Sequence, residues 1–411
     1  MERYRKIKPL IIGSGARQMQ SSLRSLRVDQ VGSLVNPQYL IDAYRKFEAG
    51  RIDEQELATV QDHAVRHVVL AQEKLGFPII SDGEMRRRNF QDNFSNSVSG
   101  FDVPKHISYE KSLSGINAQP LARAEQNFEG HGPAIVMRRR ALAPIQLVKN
   151  IPFDEFNFAS KLTKVPVKAT ILSADRIIQR FDYDGSRAVY KRREDFLADV
   201  IKLSREMVKS LISAGCRYIQ IDAPGYTAYV DEISIERMRR RGEDPKQNLA
   251  MSIAADNAVI EGFDNVVFGI HICRGNARTR DPITGQVVAQ FHREGAYDEI
   301  ADELFNSLNH HRWLLEYDSR RAGSFDPLKY FPKQKIAVLG LVSTKSSVIE
   351  SADLIKNQID RASKFINIDQ LGLSPQCGFG GFGHETITED EQWSKLEQIM
   401  KAANAIWGRL H

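Results

Sequence analysis

Asn265-Val266-Val267-Phe268-Gly269-Ile270-His271-Ile272-Cys273 is the stretch on which the fold turns. It is a short run rich in β-branched and apolar residues, and it ends at Arg274-Gly275-Asn276, so it reads as a strand. Its last residues are of a different kind. His271 and Cys273 are two apart, and alternate residues of an extended segment share a face, so both side chains can point at one ion.

Working outward, similar runs recur at Val28–Ser33, Pro78–Ser81, Val165–Leu172, Arg217–Asp222, Trp313–Tyr317, Lys335–Val342 and Gln370–Pro375. Between them lie stretches whose apolar positions recur at three and four, among them Glu54–Leu75, Glu194–Ala214, Ala296–His310 and Ser347–Phe365, with Thr388–Leu410 last. Strands alternating with helices are βα units, and about eight of them suggest a closed (β/α)8 TIM barrel of the α/β class over residues 28–411. Residues 86–163 interrupt the alternation. They are polar, rich in Gly, Pro, Asn and Ser, and too long for an ordinary loop, so they are assigned to an excursion over the barrel mouth after the second strand. Residues 1–27 read as an N-terminal arm with weak structure of its own.

Composition narrows the function. With 411 residues and 42% hydrophobic content, the chain can bury a full core. Its 57 basic residues against 52 acidic ones are interspersed, which argues against a dedicated nucleic-acid or membrane surface. No stretch approaches the roughly 20 apolar residues of a membrane span, and the opening lacks the apolar middle of a secretory signal. A cytoplasmic location is expected. Cys216, Cys273 and Cys377 are odd in number and far apart, so reduced thiols are expected rather than a disulfide framework.

Barrels of this kind gather function at the C-terminal ends of their strands. Here those ends read Val31-Gly32-Ser33, Asp82-Gly83-Glu84, Ile221-Asp222-Ala223-Pro224, His271-Ile272-Cys273, Glu316-Tyr317-Asp318, Thr344-Lys345 and Gln376-Cys377-Gly378. Two thiolates, an imidazole and a carboxylate, from His271, Cys273, Glu316 and Cys377, are competent zinc ligands, and soft sulfur favours zinc over magnesium or calcium. A lone His-x-Cys reads better as a buried structural pair; the polar strand ends around it shift the reading toward the metal.

In this order the motifs resemble the catalytic barrel of the cobalamin-independent methionine synthase family and its single-barrel short relatives, epoxyalkane:coenzyme M transferase-like proteins included. The resemblance runs from about Val31 to about Gly383, through Ile219-Gln220-Ile221-Asp222-Ala223-Pro224, Leu315-Glu316-Tyr317, Gly340-Leu341-Val342-Ser343-Thr344-Lys345 and Leu373-Ser374-Pro375-Gln376-Cys377-Gly378. It implies a catalytic Zn2+ at His271, Cys273, Glu316 and Cys377. It also implies a homocysteine-like substrate beside Val31 and Ser33, with Ser33 near its carboxylate and Glu84 and Asp222 near its ammonium. Two carboxylates at the second and fourth strand ends attract a cationic amine on charge grounds alone; pairing with Arg86, Arg87 or Arg88 is the competing reading.

The implied chemistry is methyl transfer to the sulfur of a small thiol. A free thiol is mostly protonated at neutral pH, and zinc removes that proton. Glu316 is the ligand expected to loosen when the thiol enters. The donor half departs from the long enzymes: Lys345 stands where they carry a histidine acid, their Asp-Glu-Pro reads Asp222-Ala223-Pro224, and no N-terminal barrel is read here. Folate, a corrinoid or another donor therefore remain open, as do a homo-oligomer or a methyl-carrier protein as partner. Competing functions are alkyl transfer to another thiol such as coenzyme M, a non-catalytic zinc-binding barrel, and a metal-free barrel decarboxylase.

Other features have plainer readings. His63 and His67 suit a solvated helix face, His310 and His311 a cationic helix end, and Cys216 core packing. Arg320 and Arg321 are expected either to bind an acidic ligand or to pair with Asp318. Gly378–Gly383 reads as an anion nest or a tight turn, and His384 has no assigned role.

Overall fold

In the computed structural model, residues 22–102, 139–275, 277–280, 287–291, 293–380 and 387–408 are described. The described strands are β1 (Val98–Phe101), β2 (Ala141–Leu147), β3 (Ala169–Leu172), β4 (Tyr218–Asp222), β5 (Val267–Ile272), β6 (Ala277–Arg280), β7 (Val287–Phe291), β8 (Arg312–Glu316), β9 (Ile336–Val342) and β10 (Leu371–Pro375). Six of them form a parallel sheet in the order β3-β4-β5-β8-β9-β10. Two further segments close it. Val28 bridges Leu373 on β10, and Ile80 bridges Val167 just before β3, both in parallel. The two newcomers touch through Leu34 N–H donating to the Gly83 carbonyl at 3.0 Å. The result is the expected (β/α)8 barrel.

The first two staves pair by single bridges rather than as the full strands read from Val28–Ser33 and Pro78–Ser81. Buried side chains replace the ladder there. Ser81 donates to the Gly32 carbonyl, Gln220 to the Val31 carbonyl, and Gln72 both donates to the Ser81 carbonyl and accepts its N–H. Beneath them a fully buried polar group crosses the barrel. Asp29 accepts from Lys168 at 2.7 Å, from Arg312 at 3.2 Å and from the Tyr218 hydroxyl at 2.6 Å. Burial alone would raise the Asp29 carboxyl, but Lys168 and Arg312 hold it below the usual range.

Of the arm, residues 1–21 lie outside the described residues, and residues 22–27 close the barrel floor. Leu23 packs on Ile79, Tyr218 and Val267, and Arg312 donates to the Arg24 and Leu26 carbonyls at 2.9 and 2.8 Å. Arg27 donates to the Asp369 and Leu371 carbonyls.

The outer helices follow the apolar spacing. Glu54–Lys74 starts at a capping box between Asp53 and Glu56 and buries Leu57, Ala64, Val65, Val68 and Val69. Glu389–Trp407 starts at a second, between Thr388 and Glu391. The helix read over Ala296–His310 is instead a 3₁₀ turn at Tyr297–Glu299 followed by Ala301–Ser307. At its end Lys335 donates to the Phe305 and Leu308 carbonyls. His310 and His311 are consequently not cationic caps: burial pushes them down to about 3 and about 4, so both are neutral. His67 is not simply solvated either, because it pairs with Glu389 at 2.5 Å. Cys216 is buried, its thiol 3.2 Å from the Tyr218 carbonyl.

In the stretch 86–163, the described parts are the helix Asp92–Ser97, the antiparallel pair β1–β2 and the helix Ile151–Ala159; residues 103–138 lie outside the described residues. A second antiparallel pair, β6–β7, follows β5. No helix of the described residues is long and apolar enough to cross a membrane.

Candidate active site

The ends of β5 and β10 bring His271, Cys273 and Cys377 together, with their ligand atoms all within 4.8 Å of one another. Among the described residues this is the one group of three or more His, Cys or carboxylate side chains placed closely enough to hold a metal ion. His271 sits with Nδ1 3.2 Å from the Leu314 carbonyl on β8, so that nitrogen donates, and Nε2 is buried with no hydrogen-bond partner. A ligating imidazole needs this state: one nitrogen fixed by a carbonyl, the other with its lone pair free. A hydrogen bond from Cys377, and then His271, hold the Cys273 thiol well below its ordinary value, and the same contact pushes Cys377 up.

Local packing explains why these side chains meet. Thr227 donates to the Cys273 carbonyl at 2.9 Å. The Gln376 side chain accepts from both the backbone N–H and the hydroxyl of Thr344, at 3.0 and 2.8 Å, which fastens the end of β10 to the loop after β9. Gly378 allows the turn after Cys377: a Cβ there would lie 2.0 Å from the Ser33 hydroxyl oxygen. Residues 381–386, which include part of the expected anion nest and His384, lie outside the described residues.

The donor set fits zinc. A tetrahedral ion with bonds of about 2.0–2.3 Å spaces its ligand atoms by roughly 3.3–3.8 Å, within the span of these three groups.

Glu316 stands beside the trio and is occupied elsewhere. It is fully buried; its Oε1 accepts from Arg321 at 2.5 Å and Lys345 at 3.1 Å, and its Oε2 accepts from the Arg274 N–H at 2.6 Å. Burial would raise its carboxyl, but Lys345, Arg321 and Arg274 bring it down to about 2. Lys345 also meets the Asp318 carboxylate at 2.9 Å. Of the two adjacent arginines, it is Arg321 that reaches the site, and it pairs with Glu316 rather than Asp318.

Across the mouth, Glu84 and Asp222 share an acidic buried pocket with Asp82 and Glu155. Glu84 has φ of 57° despite its side chain, because the turn Asp82-Gly83-Glu84 folds back until the Asp82 carboxylate accepts the Glu84 N–H. Its Oε1 accepts from Thr170 at 2.9 Å and from Arg87 at 3.3 Å. Asp222 accepts from Gln220 at 2.7 Å. Burial raises both carboxyls, Glu84 to about 7, with Arg87 opposing and Asp222 and Asp82 adding to the rise. One oxygen of Asp82 is buried without a partner. Ser33 lies against Gly378, next to Cys377, while Val31 packs inward on Leu314 and Val338.

Sequence reasoning missed Glu155 and Thr170. The competing pairing of Glu84 with a nearby arginine is present through Arg87 at 3.3 Å, but the main partner of Arg87, Glu155, is 68 residues away.

Residues 306–405, which carry Glu316, Lys345 and Cys377, match the family model described as the cobalamin-independent synthase, catalytic domain. The uncharacterized protein YxjH of Bacillus subtilis is 28% identical over 386 residues, covering 93% of this chain and 94% of its own. A methionine synthase of Pyrococcus abyssi is 22% identical, covering 92% and 91%. The crystal structure of a putative vitamin-B12 independent methionine synthase from Listeria monocytogenes superposes with a TM-score of 0.68 at 25% identity, covering 93% of this chain and 98% of that one.

The resemblance to the cobalamin-independent methionine synthases holds. It extends over nearly the whole barrel rather than one motif.

Proposed function

We propose that this chain transfers a methyl group to the sulfur of a small aminothiol of the homocysteine type, with zinc held by His271, Cys273 and Cys377 and with Glu316 as an exchangeable fourth ligand. The observation that carries the proposal is the buried, unpartnered Nε2 of His271 beside two cysteine sulfurs. When bound there, zinc supplies the Lewis acidity that lets an incoming thiol lose its proton at neutral pH.

The chain's own residues then orient the substrate. Glu84 and Asp222 receive the ammonium, for which their pocket carries an excess of carboxylates over the single Arg87. Ser33, beside Cys377, receives the carboxylate end. The same excess of negative charge disfavours a sulfonate such as coenzyme M. Lys345, paired with Glu316 and Asp318, stands where the long enzymes carry histidine, and the donor is assigned no further than a methyl donor. Reduced thiols at the site suit a cytoplasmic setting.

The test is zinc analysis with thiol-dependent X-ray absorption on wild type and Cys377→Ser. Stoichiometric zinc whose sulfur shell grows on adding homocysteine supports the reading. Zinc absent from wild type, or a sulfur shell that ignores every thiol, removes it.

A further inference from the structure

The Glu316 carboxylate meets three donors, and none of them belongs to the His271, Cys273 and Cys377 cluster. Arg321 comes from the 3₁₀ turn Arg320–Ala322 after β8, Lys345 from the loop leaving β9, and the Arg274 amide from the residue after Cys273. Three separate elements thus converge on one side chain. The Arg321 and Lys345 side chains are 13% and 20% exposed, so both cations act where water screens them only partly.

We propose that Arg321, Lys345 and the Arg274 amide form a receiving site for Glu316, which holds its carboxylate off the metal while a substrate thiol takes the fourth position. The inference rests on the zinc reading above. Its logic is charge. Zinc with two cysteine thiolates is neutral, and a carboxylate brings the centre to one net negative charge. A substrate thiolate added beside that carboxylate would bring it to two. Moving Glu316 onto two cations removes its charge from the metal at the moment the thiolate arrives, and its lost bond is replaced by charge-assisted hydrogen bonds. The exchange breaks one metal–oxygen bond, forms one metal–sulfur bond and releases the thiol proton to solvent. Arg321 and Lys345 are positioning residues in this step, acting through Glu316.

The experiment compares wild type, Arg321→Met, Lys345→Met, the double variant and Arg321→Lys, each as the zinc form for X-ray absorption and as the cobalt(II) form for visible absorption, titrated with L-homocysteine. Wild type should exchange one oxygen ligand for one sulfur. In the Arg321→Met and double variants Glu316 should stay on the metal, and the homocysteine concentration needed for exchange should rise by roughly tenfold or more, the equivalent of a lost charge-assisted hydrogen bond. Arg321→Lys should restore most of the affinity. Should the double variant fail to fold, Lys345→Met, altered at a partly exposed side chain, carries the same comparison. Variants that exchange oxygen for sulfur at the wild-type concentration overturn the inference and leave the zinc reading intact. Failure of the zinc reading itself shows separately, as wild type that holds no stoichiometric metal or does not respond to homocysteine.

Discussion

Arg87 meets Glu155 through two of its guanidinium nitrogens, Nε at 2.9 Å and Nη2 at 2.5 Å, with both side chains buried. This pair joins the turn after the second stave to the helix Ile151–Ala159 and so fixes the acidic wall of the mouth. Removing one partner strands a buried charge. Arg87→Met should therefore destabilise the protein by about 3–5 kcal/mol, measured by urea unfolding. Arg87→Met combined with Glu155→Gln should cost less than the two single changes summed, because the stranded charge is gone.

His271 offers a second test. With Nδ1 committed to the Leu314 carbonyl, only Nε2 is available to a metal. His271→Ala should weaken zinc binding by on the order of 100-fold or more, measured by competition with a chromophoric chelator. A chain that keeps wild-type zinc affinity without His271 does not use this cluster.

Glu84 makes binding of an amino-containing thiol depend on pH. Its folded value of about 7 lies above its ordinary one of 4.5, so the folded state holds the proton more tightly. The stability this contributes is fully present at low pH and declines as pH rises from the unfolded value through about 7. Pairing with an ammonium needs the ionised form, so affinity should rise as pH climbs through the same range. Homocysteine affinity relative to that of 4-mercaptobutanoate, which lacks the amine, cancels the titration of the thiol itself. That ratio should increase between about pH 6 and 8 in wild type and flatten in Glu84→Gln.

Gly378 is a steric requirement of the site. A Cβ there would fall 2.0 Å from the Ser33 hydroxyl oxygen, so Gly378→Ala must move either Ser33 or Cys377. A stability loss of about 1–3 kcal/mol, seen as a lower melting temperature, should accompany a reduced zinc content.

The βα order was legible because β3 to β5 and β8 to β10 are short, β-branched or apolar runs, and because barrel strand ends collect reactive groups, so His271, Cys273 and Cys377 could be gathered before any coordinates. What escaped had its cause elsewhere in the chain. The helix read to His310 stops at Ser307, where its end carbonyls are met by Lys335 from another loop. The hairpin strand Ala277–Arg280 has the sequence Ala-Arg-Thr-Arg, with no apolar alternation to mark it. Glu316 was read as a ligand from its strand-end place, while the cations that engage it depend on how two other loops fold. The partner of Arg87 was hidden for the same reason.

The seam at which Val28 joins β10 bears on synthesis as well as on architecture. Arg27 and Asp369 are 342 positions apart, so during synthesis the ring cannot shut until Leu373 has left the ribosome. Until then Asp29, Lys168 and Arg312 line an open trough instead of a sealed interior.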